Sequence, residues 1–202
     1  MTYDPTEVTR DMHDKEDSGS EPEDFPFYGE VRIRILDLQE RRPIGAEAQC
    51  ISEPSLFILR TRVSEKSGTS VGEIIDLPNE SIGPLSEIRL RDLSSGATQE
   101  LIPAICESIR SDPEKHLDFY NRANNLSLKF HAFQLLPGVG NSKALQMVES
   151  RGMAGWGSFE EIDDSCGIES VQLLAERYLK EMEDPAQTPR LLDLLVRSER
   201  LQ

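Results

Sequence analysis

Between residues 25 and 93, apolar and polar positions alternate with the period of half-buried strands. Val31, Ile33 and Ile35 alternate with Arg32 and Arg34; Phe57, Leu59, Thr61 and Val63 with Arg60 and Arg62; Ile88 and Leu90 with Arg89 and Arg91. AEAQCI and VGEIIDL add two short apolar runs, and Arg42-Pro43, Glu53-Pro54, Lys66-Ser67-Gly68 and Gly83-Pro84 mark turns between the pieces. About five short strands in about 70 residues match the count of a small barrel of the oligonucleotide-binding type.

After Ser94 the period lengthens. Leu101, Ile105 and Ile109 recur every fourth residue and predict a helix beginning near Leu101, with Pro103 in its first turn. Asp112-Pro113 reads as an N-cap followed by proline at the first helical position, opening a helix to about Ala123. Phe130, Phe133 and Leu136 predict an apolar helix running into Pro137, and Ala144, Leu145 and Val148 a helix beyond it. Ser158 starts a short capped helix, and Val171, Leu174, Ala175, Tyr178 and Met182 mark a longer one. The last amphipathic helix, RLLDLLVRSERL, follows Pro185 and Pro189 and docks either on the body or on a partner. The expected architecture is α+β: a tail over 1–24, an OB-like β-barrel over 25–96, a helical domain over 97–183 and a terminal helix over 184–202. The helical domain holds a helix-hairpin-helix at 129–151 and a degenerate second hairpin at 158–183.

Charge changes where the site is sought. The 202 residues carry 37 acidic and 22 basic side chains, a net of -15, which opposes tight, sequence-blind binding to bare nucleic acid. Residues 1–24 hold nine acids against two bases, and a segment so polar and so charged reads as a disordered acidic tail, or as one that competes with phosphate for a basic site. Only residues 115–151 are positive, with five bases against two acids.

Inside that window lies KFHAFQLLPGVGNSKALQMV, residues 129–148, the apolar-Pro-Gly-apolar-Gly pattern of a helix-hairpin-helix with a small Ala144 four residues past the second glycine. Glycines allow the tight turn, Val139 plugs it into the core, and Ala144 lets two helices cross closely. The amides of Gly138, Gly140 and Asn141 then stand unsatisfied at a helix N-terminus that favours an anion. Gly138, Val139, Gly140, Asn141, Ser142 and Lys143 are therefore the candidate nucleic-acid contacts, on the backbone and not on the bases. A hairpin kept only to pack helices is the alternative. Lys129 and Arg151 flank it as accessory contacts.

The pairs Arg32/Arg34, Arg60/Arg62 and Arg89/Arg91 each share a strand face. Were those strands neighbours, their guanidiniums would extend the RNA footprint; a solvated face of cross-strand ion pairs has the same sequence. Trp156, between two glycines, is either a base-stacking residue or a plug between hairpin units. His131 reads as a hydrogen-bonded packing residue, since no nucleophile or acid is spaced to form a triad with it. Base-excision glycosylases share the hairpin, but their chemistry needs an Asp in an apolar segment, whereas Asp163-Asp164 lie in an acidic one. No catalytic residue, metal or cofactor is expected. Cys50, Cys106 and Cys166 read as free buried thiols, and without an apolar span or secretory leader the chain is expected in the cytoplasm, with no membrane partner.

The chain resembles the archaeal family called domain of unknown function 655 over about residues 29–183. Agreement is strongest in ELIPAICESIRSDPEKHLDFYNRAN, LKFHAFQLLPGVGNSKALQMVESR, SFEEI and LLAERYLKEM, and weaker in RPIGAEAQCISEPSLFILRTRV and VGEII. The resemblance implies a small β-barrel joined to a tandem helix-hairpin-helix, an RNA-binding role and a place in ribosome biogenesis or translation. This chain departs from the family's basic residues in having Asn141-Ser142 and IIDLPNESIG. Its 16 Arg against 6 Lys, with this acid load, suggest a saline cytoplasm or a GC-rich genome. The expected partner is RNA, ribosomal or otherwise structured, with DNA second. A protein adaptor on the ribosome or RNA polymerase, in which the hairpin is purely structural, is the alternative.

Overall fold

The computed structural model describes residues 27–41, 45–64 and 68–198; the acidic segment 1–24 lies outside them. Strands β1 (Arg32–Glu40), β2 (Ala46–Glu53) and β3 (Ile58–Val63) form an antiparallel meander. The short strand β4 (Ile74–Asp76) pairs with β1 and β5 (Ser86–Glu87) with β3, giving the order β4-β1-β2-β3-β5. The fold is α+β, but the expected barrel is not closed: β4 and β5 stand at opposite edges of an open sheet. Closure would need β4 and β5, of three and two residues, to pair with each other, and among the described residues no ladder joins them.

Ile33, Ile35, Ala48, Cys50, Leu59, Val63 and Ile75 form a core on one face of the sheet, covered by Phe27, Phe57, Leu77 and Leu85. Leu36, Ile51 and Ile58, on the other face, belong to a larger core shared with the helices. A bulge between Ile35 and Asp37 breaks the alternation, so the consecutive residues Leu36 and Asp37 both serve the helical side.

Ile88–Arg91, expected as a strand, is not one. The ladder ends where the Ile88 amide donates to the Ile58 carbonyl (3.0 Å), and Leu90–Asp92 is a single 3-10 turn. The cause is Gln49 on β2, whose side chain accepts from the Ser94 amide (2.8 Å) and donates to the Asp92 carbonyl (3.2 Å), turning the chain away from the sheet. Helix α1 (Ser95–Ser111) follows at once, six residues before the expected start. Ser94 Oγ caps it by accepting from the Ala97 amide (3.0 Å) and donates to Asp37 (2.6 Å), so the hydroxyl sets the N-terminus. Pro103 consequently sits mid-helix. It lies on the exposed side, where water can replace the donor it removes.

Helix α2 (Pro113–Arg122) starts at the expected proline. After the hairpin β6 (Asn125–Ser127) and β7 (Phe130–His131) come α3 (Asn141–Arg151), α4 (Phe159–Cys166) and α5 (Ser170–Glu183). Leu101, Ile105 and Ile109 of α1 pack with Leu174 and Tyr178 of α5 and with Tyr120, Phe133 and Met147 in one continuous core. All three cysteines are free and buried, and burial pushes the Cys50 thiol up to about 12.

The terminal segment docks on the body through Leu191, Leu192 and Val196, in a π-helical turn over Leu192–Val196. Its anchor is Glu181, fully buried, which accepts from Arg177 Nε (2.6 Å) and from the amides of Leu191 (2.9 Å) and Leu192 (2.8 Å). Arg177 in turn donates to Gln187 (3.1 Å) and to the Pro189 carbonyl (2.8 Å).

Removing one partner of so buried a pair strands the other. Glu181→Ala is expected to cost about 3–5 kcal/mol in urea unfolding, and Glu181→Ala with Arg177→Met to recover part of it. His116 gives a second outcome. It is buried, its Nδ1 lies 2.8 Å from the Tyr178 hydroxyl, and burial lowers its pKa from 6.5 to about 4. A depressed histidine favours folding above its unfolded value and loses that contribution as pH falls. The urea midpoint should therefore drop between pH 6.5 and about 4 by the equivalent of up to about 3 kcal/mol, and His116→Gln should flatten that slope. Asp37, whose carboxyl the Ser94 hydrogen bond holds below 3.8, titrates only below that window.

Candidate nucleic-acid interface

The turn into α3 is built from its core residues outward. Val139 is buried, its amide donates to the Leu136 carbonyl (3.2 Å), and Gly138 takes a positive φ of 75° to close the turn. Gly140 is the N-cap of α3; the Ala144 amide donates to its carbonyl (2.9 Å), and no side chain caps the helix. Buried Ala144 and Met147 seat α3, while Asn141 and Ser142 are exposed.

The element before the turn differs from expectation. The apolar stretch 130–136 is not an α-helix: Phe130 and His131 form β7, and Ala132–Leu135 is one 3-10 turn. His131 Nδ1 accepts from the Phe133 amide (3.1 Å) and Gln134 Oε1 from the His131 amide (2.9 Å), a reciprocal cap that starts the helix at Ala132. Pro137 then bars α geometry at Leu136, so only one turn fits. Burial, reinforced by the nearby Arg151 charge, lowers the His131 pKa and keeps the ring suited to this accepting role.

Two glycines show opposite uses of a missing Cβ. Gly155 has φ 74°, and a Cβ there would meet Asn121 Oδ1 at 2.7 Å, because Asn121 clamps the Trp156 backbone by accepting from its amide (2.8 Å) and donating to its carbonyl (2.9 Å). Trp156 is buried and donates Nε1–H to Ser165 Oγ (3.0 Å), so it is a plug between the α3 and α4 units and presents no stacking face. Gly140, by contrast, has φ -82°, open to any residue, and a Cβ on it would meet nothing within 4 Å. Nothing among the described residues requires glycine there.

Lys143 and Arg151, near the turn, are committed inward. Lys143 Nζ donates to the Cys166 carbonyl, at the C-terminus of α4, and to Gln146 Oε1 (3.2 Å). Arg151 donates to the carbonyls of Tyr120 (3.1 Å) and Ala123 (2.7 Å) at the end of α2, with its guanidinium 5.5 Å from the centroid of Phe133. Lys129 stands exposed at the β6–β7 turn, among exposed Leu126, Leu128 and Phe130.

The arginine pairs separate into two groups. Arg32 donates to Glu53 (2.5 Å) and to Ser111 (3.2 Å), and Arg34 lies 3.8 Å from the same carboxylate. In register, Arg32 and Arg34 face Glu53 and Ile51 near the end of β2, whereas Arg60 and Arg62 face Gln49 and Glu47 nearer its start. Six guanidiniums therefore do not share one surface. Arg60 pairs in register with Ser86, beside the turn that carries Arg89 and Arg91, and all four are exposed. A cleft of about 930 Å³ adjoins them, walled by Ile58, Ile88, Leu90, Leu179, Met182 and Arg197. The α5 and C-terminal side of this cleft carried no sequence signal, because its residues read simply as the apolar and charged stripes of two helices.

Residues 36–191 match the model of a protein family of unknown function, DUF655. An uncharacterized protein of Methanocaldococcus jannaschii is 24% identical over 97 residues, 48% of this chain; the match spans only 45% of that protein's length. The crystal structure of Af1531 from Archaeoglobus fulgidus, of the same family model, superposes with a TM-score of 0.72 at 24% identity, over 81% of this chain and 99% of that one. The likeness to that structure establishes the shared fold, and the family match, spanning more than three quarters of the residues, places the chain in the DUF655 family.

Proposed function

We propose that this protein is a non-enzymatic RNA-binding protein whose helix-hairpin-helix holds a backbone phosphate at the Gly138-Val139-Gly140 turn, acting in ribosome biogenesis or translation. The observation that carries the reading is Gly140. Its φ suits any residue and its missing side chain is not filled from within, so the open approach to the uncapped N-terminus of α3 serves something outside the chain. The exposed Asn141 and Ser142 add polar groups beside the same amides. With Lys143 turned to the Cys166 carbonyl, the hairpin offers oriented amides and little free charge. Such a site positions a strand and contributes little to the salt dependence of binding.

The commitment of Lys143 and Arg151 to helix ends also supports a second reading, an adaptor between proteins in which the hairpin is structural. Nuclease treatment separates the two: an association bridged by RNA disappears, and a direct one persists.

Gly140→Ala tests the first reading directly. The variant should melt at the parent temperature and bind RNA about fivefold more weakly, the worth of one hydrogen bond of about 1 kcal/mol, with an unchanged salt slope. No detectable RNA binding by the parent chain at about 50 mM salt would sink the reading.

A further inference from the structure

If the hairpin supplies position without free charge, the charge must come from elsewhere, and the described bases are mostly spent. Nine stand in ion pairs. Lys143 and Arg151 are held by carbonyls. Of those with no such partner among the described residues, only Lys129 and Lys180 lie apart; the other four are Arg60, Arg62, Arg89 and Arg91. The ladder places these four together. Arg60 is in register with Ser86, the Ile88 amide closes on the Ile58 carbonyl, and the Gly83 amide donates to the Arg62 carbonyl (2.8 Å). Ile88 and Leu93 are common walls of the small cleft that holds Arg60 and of the 930 Å³ cleft that holds Arg89 and Arg91.

We propose that the β3–β5 edge and its cleft bind an unpaired stretch of RNA, with the four arginines on successive phosphates and the bases against the apolar wall of Ile88, Leu90, Leu179 and Met182. The proposal rests on the RNA-binding reading of the hairpin and adds the class of RNA and the source of affinity. Arg60 and Arg62, two residues apart on β3, stand about 7 Å apart, the spacing of successive phosphates along an extended strand, and Arg89 and Arg91 add two more forked donors from the turn that follows β5. A cleft of about 930 Å³ has room for unstacked bases, which a single strand can splay out and a duplex keeps stacked inside. Glu87, Asp92 and Glu183 border the same surface and oppose the arginines, so the binding is weak and strongly salt-dependent.

The experiment titrates the full chain with a labelled oligouridylate of about ten nucleotides and the matching duplex, from about 50 to about 300 mM salt, by fluorescence anisotropy. Combined Arg60→Gln, Arg62→Gln, Arg89→Gln and Arg91→Gln, all at exposed positions, should melt as the parent does. It should bind the single strand at least about tenfold more weakly and flatten the log-log salt slope by about 3, at about 0.7 per phosphate for four contacts. Gly140→Ala should keep the parent slope. A quadruple variant that binds with the parent slope while Gly140→Ala weakens binding overturns this proposal and leaves the hairpin reading standing. Preference for the duplex also overturns it, as does arginine-dependent binding of polyglutamate tighter than that of RNA, which would assign the face to an acidic peptide. A parent that binds neither RNA fells both readings.

Discussion

Helix α1 has to satisfy two surfaces at once, the sheet on one side and α5 on the other, and the placement of every other element follows from that. Its start is fixed by side chains of the sheet, with Asp37 of β1 holding the Ser94 cap and Gln49 of β2 holding both Ser94 and Asp92. The bulge in β1 is what allows this, since it brings Asp37 to the same side as Leu36. From there Leu101, Ile105 and Ile109 carry the core across to Leu174 and Tyr178, and the buried Glu181 on α5 fastens the terminal segment over the junction. Sheet and helices thus share one apolar core.

That packing decides where positive charge is free. A chain of net -15 has few bases to spare, and this one uses cations as helix-end caps: Lys143 on α4, Arg151 on α2, and Arg177 on the turn after α5. Arg32 and Arg34 are drawn to buried Glu53, at the sheet's contact with the end of α1. Apart from Lys129 and Lys180, what is left over among the described residues lies on β3 and the turn before α1. The segment with the most favourable net charge in the sequence is therefore not the one with the most available charge in the fold.

Much of the architecture was legible in the residues. Alternation located β1 and β3, a short apolar run located β2, Asp112-Pro113 marked the start of α2, and Ser158 that of α4. The Pro-Gly-Val-Gly pattern marked the turn into α3, where Val139 and Ala144 are buried. The failures share a cause: each depended on a partner distant in sequence. Ile88–Leu90 alternates as a strand does, but Gln49, some 40 residues earlier, pulls that segment off the sheet. Pro103 argued for a late helix start, and a cap bonded to Asp37 overrode it. The helix expected over Phe130–Leu136 lost to a histidine cap that periodicity does not register. Among the site residues, spacing could place Lys143 one turn into α3 and could not reveal that the Cys166 carbonyl would claim it.

The mid-helix proline has a consequence for motion. With no amide at position 103, the Gln99 carbonyl has no donor four residues on, and the ladder of α1 is interrupted one turn after its cap. The turns on both sides of it are held in the core, by Ala97 and Leu101 before the break and by Ile105 and Ile109 after it. The missing bond therefore loosens only the solvent-facing side of the helix, where Gln99 is exposed, and frees neither half from the core. The turn bearing Arg89 and Arg91 is thus joined to a stretch of α1 that the cap and the core hold in place.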